Sequence, residues 1–366
     1  MNTLNGKHVN CQNFMKKALV LLLFFLPLYF AEAGYAEDSQ INKNEIPTNS
    51  GEQQQDVGFT VEVEKPATQI DESKSFYFFK VQPGEEQTII LKVRSTSPAE
   101  KKVKIEVKEA YTNSSGNVDY DGSSYTRDET LKDSLEDIAT VSPEEVTVKG
   151  SEAKDVAIKI TPPSEPFDGV KIAAICVMNA DESEEDQKGI SSSFGYRVGL
   201  VVTEDENIEY DDSSSLNLLQ VKPTVHQGKR VIQARLQNPE PKIMNKLTVE
   251  TKLRRKGEQE VLRKRTTNDM RMAPNSQFDF ATNWGLDPIE PGTYVLSVKA
   301  DSGENTWSWE EEFTIGEEEA KKINEQATYT ITYPTWVPIV VVLLGVVTII
   351  NIGSLYVRRK KWTTPK

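Results

Sequence analysis

Histidine is nearly absent from the chain, with two in 366 residues. That scarcity excludes a histidine-rich metal centre and leaves little for histidine-dependent nucleophilic catalysis to work with. His226, the one beyond the N-terminal segment, sits in Val225-His226-Gln227-Gly228, a turn, so a Ser-His-Asp triad would have to gather its partners across strands. Cysteine is as scarce, with only Cys11 and Cys176. Positive charge is also in deficit: 43 Lys and Arg stand against 56 Asp and Glu, a net −13, whereas nucleic-acid binding needs a clustered excess of cations. Neither a nucleic-acid partner nor a cofactor is expected. Apolar residues, at 37%, still suffice for packed cores, and a prior of about 150 residues per domain suits two or three domains.

Both ends of the chain carry targeting signals. Lys16 and Lys17 precede an apolar run from Ala18 to Phe30, and Ala31-Glu32-Ala33 supplies a small-x-small cleavage pattern, which predicts a signal peptide over 1–33. Cleavage after Ala36 is the alternative. Cys11 lies upstream of the apolar run, so it cannot serve as a lipoprotein cysteine, and Cys176 is left without an intramolecular partner in the mature chain. Its place in the apolar run Val170 to Met178 reads as a buried small hydrophobe. Trp336 to Val357 is 22 residues without a charge, enough for a transmembrane helix over 336–357. Arg358, Arg359, Lys360 and Lys361 follow at once, so the positive-inside rule puts the basic tail, 358–366, in the cytoplasm and the body outside.

Between the ends the period is two. Residues 34–57 have little apolar content and read as a disordered leader. From there Ile89, Leu91 and Val93, then Val103, Ile105 and Val107, then Val156, Ile158 and Ile160 alternate with polar residues, as half-buried strands do. Val249 to Leu253 and Tyr294 to Val298 repeat the style, and only Thr130 to Ala139 looks helical in this body. Charge shifts along the chain: residues 37–215 carry −20 and residues 216–315 carry +2, with the acidic stretch 204–215 between them. The expected architecture is all-β, two tandem Ig-like Greek-key β-sandwiches over 58–203 and 216–315, joined by an acidic linker at 204–215. A juxtamembrane helix is expected over 316–335, since Glu317 and Glu318 stand four residues before Lys321 and Lys322.

The stretches GFTVEVEKPATQIDESKSFYFFKVQPGEEQTIILKV, VKEAYTNSSGNVDY and SFGYRVGLVV resemble the peptidoglycan-binding domain of WxL-interacting proteins. LNLLQVKPTVHQGKRVIQARLQNPEP, MAPNSQFDFATNWG and PGTYVLSVKA are similar to the host-binding domain that follows it in that family. The resemblance implies a membrane-tethered surface protein of Gram-positive bacteria that works beside WxL-domain surface proteins. Its first domain would touch peptidoglycan and those partners, and its second would face host extracellular matrix. The residues alone establish less: a secreted, single-span, two-sandwich binding protein without a visible catalytic set. A surface carbohydrate-acting enzyme and an accessory receptor subunit are the alternatives. The enzyme would rest on paired carboxylates, which occur by chance in so acidic a chain; the receptor would need a signalling partner, since its tail is so short.

Several clusters are candidate sites. Asn117-x-Asp119-x-Asp121-Gly122, with Asp128 at the twelfth position, has the oxygen spacing of a calcium loop, though Asn stands first, Asp stands last, and strands flank it. A hairpin turn around Ser115-Gly116-Asn117 explains the same residues. If the first domain meets peptidoglycan, Tyr111, Asn113, Tyr120 and Tyr125 are the preferred contacts. Arg254, Arg255 and Lys256, with Arg263, Lys264 and Arg265, would rise on two strands of one hairpin, either as solvated edges or as a site for an anionic partner. Trp307 and Trp309 share a strand face, and Trp284 sits in an Asn-Trp-Gly turn; core packing is the simpler account of all three.

Overall fold

The computed structural model describes residues 57–121, 125–180, 195–303, 305–329 and 336–362; the expected signal peptide and nearly all of the leader lie outside them. Alternation builds the first sandwich. One sheet runs β1 (Phe59–Glu64), β3 (Gln87–Ser95), β9 (Ala153–Ile160), β7 (Ala139–Ser142). The other runs β2 (Tyr77–Lys80), β11 (Gly195–Thr203), β10 (Val170–Asn179), β4 (Lys101–Glu109), β8 (Glu145–Val148). Ile89, Leu91 and Val93 on β3 meet Val103, Ile105 and Val107 on β4 in one core, because period-two residues share a face. Strands β7 and β8 lie in opposite sheets although only Pro143 and Glu144 separate them, so the chain crosses the sandwich there.

The helix expected over Thr130 to Ala139 shrinks to α1 (Leu135–Ile138). Asp128 accepts the Thr130 amide at 2.9 Å and turns the chain before Ser134 caps the helix, and from Ala139 the backbone is extended and pairs with β9.

The second sandwich pairs β12 (Asn217–His226), β13 (Lys229–Asn238) and β16 (Ser276–Asn283) in one sheet. Its other sheet is β15 (Arg263–Met272), β14 (Met244–Arg255), β17 (Gly292–Ser302) and β18 (Asn305–Ile315). Trp284 is buried edge-on to Tyr294 at 5.3 Å, and Trp307 and Trp309 pack against the same core. Helix α2 (Glu317–Gln326) is shorter than the expected juxtamembrane helix and docks on this sandwich through Ala320 and Ile323. The ion pair on it is Lys321 with Glu325, not the pairs foreseen from Glu317 and Glu318. Asn324 locks it by donating to the Ile289 carbonyl at 2.9 Å and accepting from Ile289 N and from buried Arg230. The Thr328 amide then reaches the Gly228 carbonyl at 2.9 Å. Helix α3 (Trp336–Trp362) follows, and its stretch Ile339–Tyr356 is long and apolar enough to cross a bilayer.

The two sandwiches meet along a third apolar cluster. Strand β10 is buried on both faces, and such a strand needs cover on both sides. Ala173, Ile175 and Val177 face the first core, while Val170 and Ile172 join Phe78, Ala110 and Val201 against Ile243 and Ala273 of the second sandwich. The segment 204–215, expected as a polar linker, is part of this seam. Tyr210 packs edge-on against Phe78 at 5.2 Å, Ile208 packs beside it, and the backbone from Tyr210 to Ser213 bonds to Ile243. Its two apolar residues join the seam, and its acids are answered on both sides of it, Asp212 by Lys242 at 2.9 Å and Glu206 by Lys80 at 2.7 Å. Polar contacts complete the junction: Thr112 Oγ1 with Ser276 Oγ at 2.6 Å, Val170 N to Pro241 O at 2.9 Å, and Arg271 N to Gly116 O at 2.7 Å.

Candidate functional site

The Asn117 turn is a short ribbon, β5 (Tyr111–Thr112) with β6 (Val118–Asp119). Asn113 Oδ1 accepts the amides of Ser115 and Asn117 at 3.0 and 3.1 Å, the bonds an Asn-built turn makes. Gly116, at φ 75°, sits so close to Met270 that a β-carbon would overlap its sulfur. The turn is therefore docked on β15. The four candidate calcium ligands are not brought together. Asp119 accepts the Tyr120 amide and faces Arg197 at 3.5 Å, Asp121 takes the Tyr111 hydroxyl, and buried Asp128 accepts from Gln237 through both oxygens, at 2.9 and 3.0 Å, as well as from the Thr130 amide and hydroxyl. Asn117 itself is exposed. Among the described residues no group of three or more His, Cys, Asp or Glu could hold a metal ion.

The tyrosines divide. Tyr120 packs on the seam between the sandwiches. Tyr111 and Tyr125 stack with centroids 4.8 Å apart and, with Asn113, line a cleft of about 480 Å³. Its far wall comes from the second sandwich: Gln233 and Arg235 on β13, Gln277 and Asp279 on β16, and His226 and Gln227 at the β12–β13 turn. Sequence reasoning weighed His226 only for a triad and missed Gln233 and Arg235, because polar residues alternating with Ile232, Ala234 and Leu236 look like an ordinary solvated strand face. Arg235 grips Asp279 through two bonds of 2.8 and 3.0 Å, a pairing that holds the guanidinium above its ordinary value. Burial pushes the Tyr111 phenol well up, helped by the Asp121 carboxylate, so it remains a neutral donor. His226 makes no side-chain hydrogen bond to a serine or carboxylate among the described residues, so the parts of a triad are not joined.

The basic hairpin does rise on β14 and β15, but its cations are answered within the domain. Arg254 pairs with Glu310 at 3.2 Å, Lys256 with Glu312 at 2.7 Å, Arg263 with Asp287 at 3.1 Å, Arg255 with Glu290, and Lys264 with Glu250. Arg265 donates to the Ala281 carbonyl and lies 4.2 Å from the Phe280 ring centroid. The expected anionic-partner residues thus form a compensated surface, because β18 supplies Glu310 and Glu312, the loop before β17 supplies Asp287 and Glu290, and β14 supplies Glu250.

A family model described as the WxL Interacting Protein peptidoglycan binding domain matches residues 59–179, and one described as the WxL Interacting Protein host binding domain matches residues 185–325. The chain belongs to the WxL-interacting protein family. In this WxL-interacting protein the second match begins ahead of β11, so the strand that completes a sheet of the first sandwich falls inside it. Among curated proteins none matches. Similar solved structures include the E. coli chaperone DraB, at 15% identity over 70% of this chain and 98% of that one, with a TM-score of 0.26. The Pseudomonas aeruginosa CupB2 chaperone is similar at 12% identity over 62% and 91%, with a TM-score of 0.25.

One buried acid of this WxL-interacting protein sets a pH dependence. Glu109, 3% exposed, accepts the Glu136 amide at the start of α1, and burial raises its carboxyl from 4.5 to about 8 against the pull of its backbone bonds, Lys171 and Arg127. Between those values the folded chain holds a proton that the unfolded chain has released, so stability falls as pH rises through that window. The acids with lowered values, such as Asp137 and Glu250, act only below it. Thermal melts of the wild type should therefore drop from pH 5 to pH 8, while Glu109→Gln should melt at nearly constant temperature across that range.

Proposed function

We propose that the chain is a membrane-anchored cell-surface binding protein whose first sandwich contacts wall peptidoglycan and WxL-type surface proteins and whose second sandwich contacts host matrix. One observation carries this reading: the two matched domains stand in family order, directly ahead of a helix of bilayer length. The chain works by adhesion and has no catalytic role in this reading. Residues 37–215 hold −20, so long-range forces oppose approach to anionic wall polymers, and adhesion must come from short-range hydrogen bonds and ring contacts. The test is co-sedimentation of the detergent-solubilised full chain with purified peptidoglycan sacculi. The bound fraction should hold or increase as salt shortens the Debye length to about 10 Å at 0.1 M. No co-sedimentation at any salt concentration would remove the wall-binding reading.

A further inference from the structure

The cleft between the sandwiches holds polar side chains the fold leaves unanswered, and Gln233 is the most buried of them. Along β13, Ile232, Ala234 and Leu236 enter the second core, and Gln233, Arg235 and Gln237 point the other way. Gln237 is taken by Asp128 and Arg235 by Asp279. Gln233 is 9% exposed and lines the cleft, yet its carboxamide makes no hydrogen bond to any described residue. Its strand neighbour on β16 is Ala281, which has no polar side chain to offer. Its carboxamide atoms open onto the cleft, since no fully buried side-chain nitrogen or oxygen among the described residues lacks a partner, so two donors and an acceptor on a largely buried, well-positioned side chain are free to meet a guest.

The rest of the lining says what kind. Asn113, Gln277 and the Arg235–Asp279 pair are hydrogen-bonding groups of both senses, and the Tyr111–Tyr125 stack adds an aromatic surface suited to the C–H face of a sugar ring. Three carboxylates, of Asp119, Asp121 and Asp279, face one guanidinium, so phosphate and sulfate polymers are disfavoured. Without a broad apolar lining, a lipid or an apolar peptide anchor is disfavoured as well. The volume is within the range of small-ligand pockets, roughly 300–1,000 Å³, and suits a short oligomer better than a folded partner.

We infer that this cleft is a composite glycan site in which Gln233 of the second sandwich recognises an uncharged oligomer of N-acetylated amino sugars held against Tyr125 of the first. The inference rests on the wall-binding reading for where such a glycan comes from, and it deepens that reading: both sandwiches contribute to the one site.

The probe is a tetramer of N-acetylglucosamine, titrated calorimetrically into the detergent-solubilised full chain, with sacculus co-sedimentation run in parallel. Gln233→Leu and Gln277→Ala should each weaken tetramer binding by about tenfold or more, while Lys299→Ala, outside the cleft, should leave it unchanged. Gln233→Leu should also melt no lower than wild type, since it removes a polar group without a protein partner; a structural glutamine would lower the melt. Absence of tetramer binding in the wild type, or equal binding by Gln233→Leu, overturns the inference. Sacculi that carry down wild type and Gln233→Leu equally overturn the cleft and leave the wall-binding reading intact. Tetramer binding lost in Gln233→Leu, with a wild type that ignores sacculi, supports the cleft and removes that reading.

Discussion

Gly169→Ala should destabilise the full chain several-fold more than Gly150→Ala, and should split one unfolding transition into two. Both glycines have positive φ, 71° and 59°, so both substitutions carry the left-handed backbone cost of about 1–2 kcal/mol. They differ in surroundings. A β-carbon at Gly150 meets nothing within 4 Å, whereas one at Gly169 would overlap the Pro241 carbonyl oxygen. That same oxygen accepts the Val170 amide at 2.9 Å across the junction. Relieving the overlap moves Pro241 away and opens the apolar seam of Val170, Ile172 and Ile243, for a total on the order of 3–5 kcal/mol. Calorimetry with small-angle scattering reads both effects. Equal losses for the two variants, with one transition retained, would show that the seam does not hold the sandwiches together.

Removal of residues 336–366 should move the protein from the membrane fraction to the medium almost completely. Helix α3 is the one described helix of bilayer length, and it buries no part of itself against the body over Ile339–Tyr356. Its apolar side chains are exposed in the absence of lipid, including Ile349, Ile350 and Leu355. No other described element offers a comparable anchor. Fractionation followed by detection of the body gives the answer; persistent membrane association of the shortened chain would point to an anchor elsewhere.

The cores were legible in the sequence because they obey a local rule. Ile89-x-Leu91-x-Val93 and Val156-x-Ile158-x-Ile160 announce an inward face by alternation, and both triplets are buried in the first core. Trp307 and Trp309 follow the same logic. The junction was illegible because it is built from pairs with no period. Asp128 finds Gln237, and Thr112 finds Ser276, across more than a hundred residues, and each looks like a surface residue in its own segment. In 204–215, Ile208 and Tyr210 are visible as the apolar residues of an acidic stretch, but nothing local in the sequence shows that they pack on the junction. The cleft was half visible: Tyr111, Asn113 and Tyr125 stood out around a turn, while the opposite wall comes from strands that only the junction brings near. The basic hairpin shows the converse, since six cations read along the chain do not reveal the acids that β18, β14 and the loop before β17 set beside five of them.

The lock between Thr328 and Gly228 also fixes a leash. Gly228 follows Gln227, which stands at the mouth of the cleft, and Tyr329 is the last described residue before helix α3 begins at Trp336. Seven residue steps, even pulled straight, reach at most about 25 Å. With Trp336 at a bilayer surface, the mouth of the cleft cannot stray much farther than that from the lipid head groups. On the inferred role of the cleft, a polymer strand would have to lie in the layer next to the membrane to enter it.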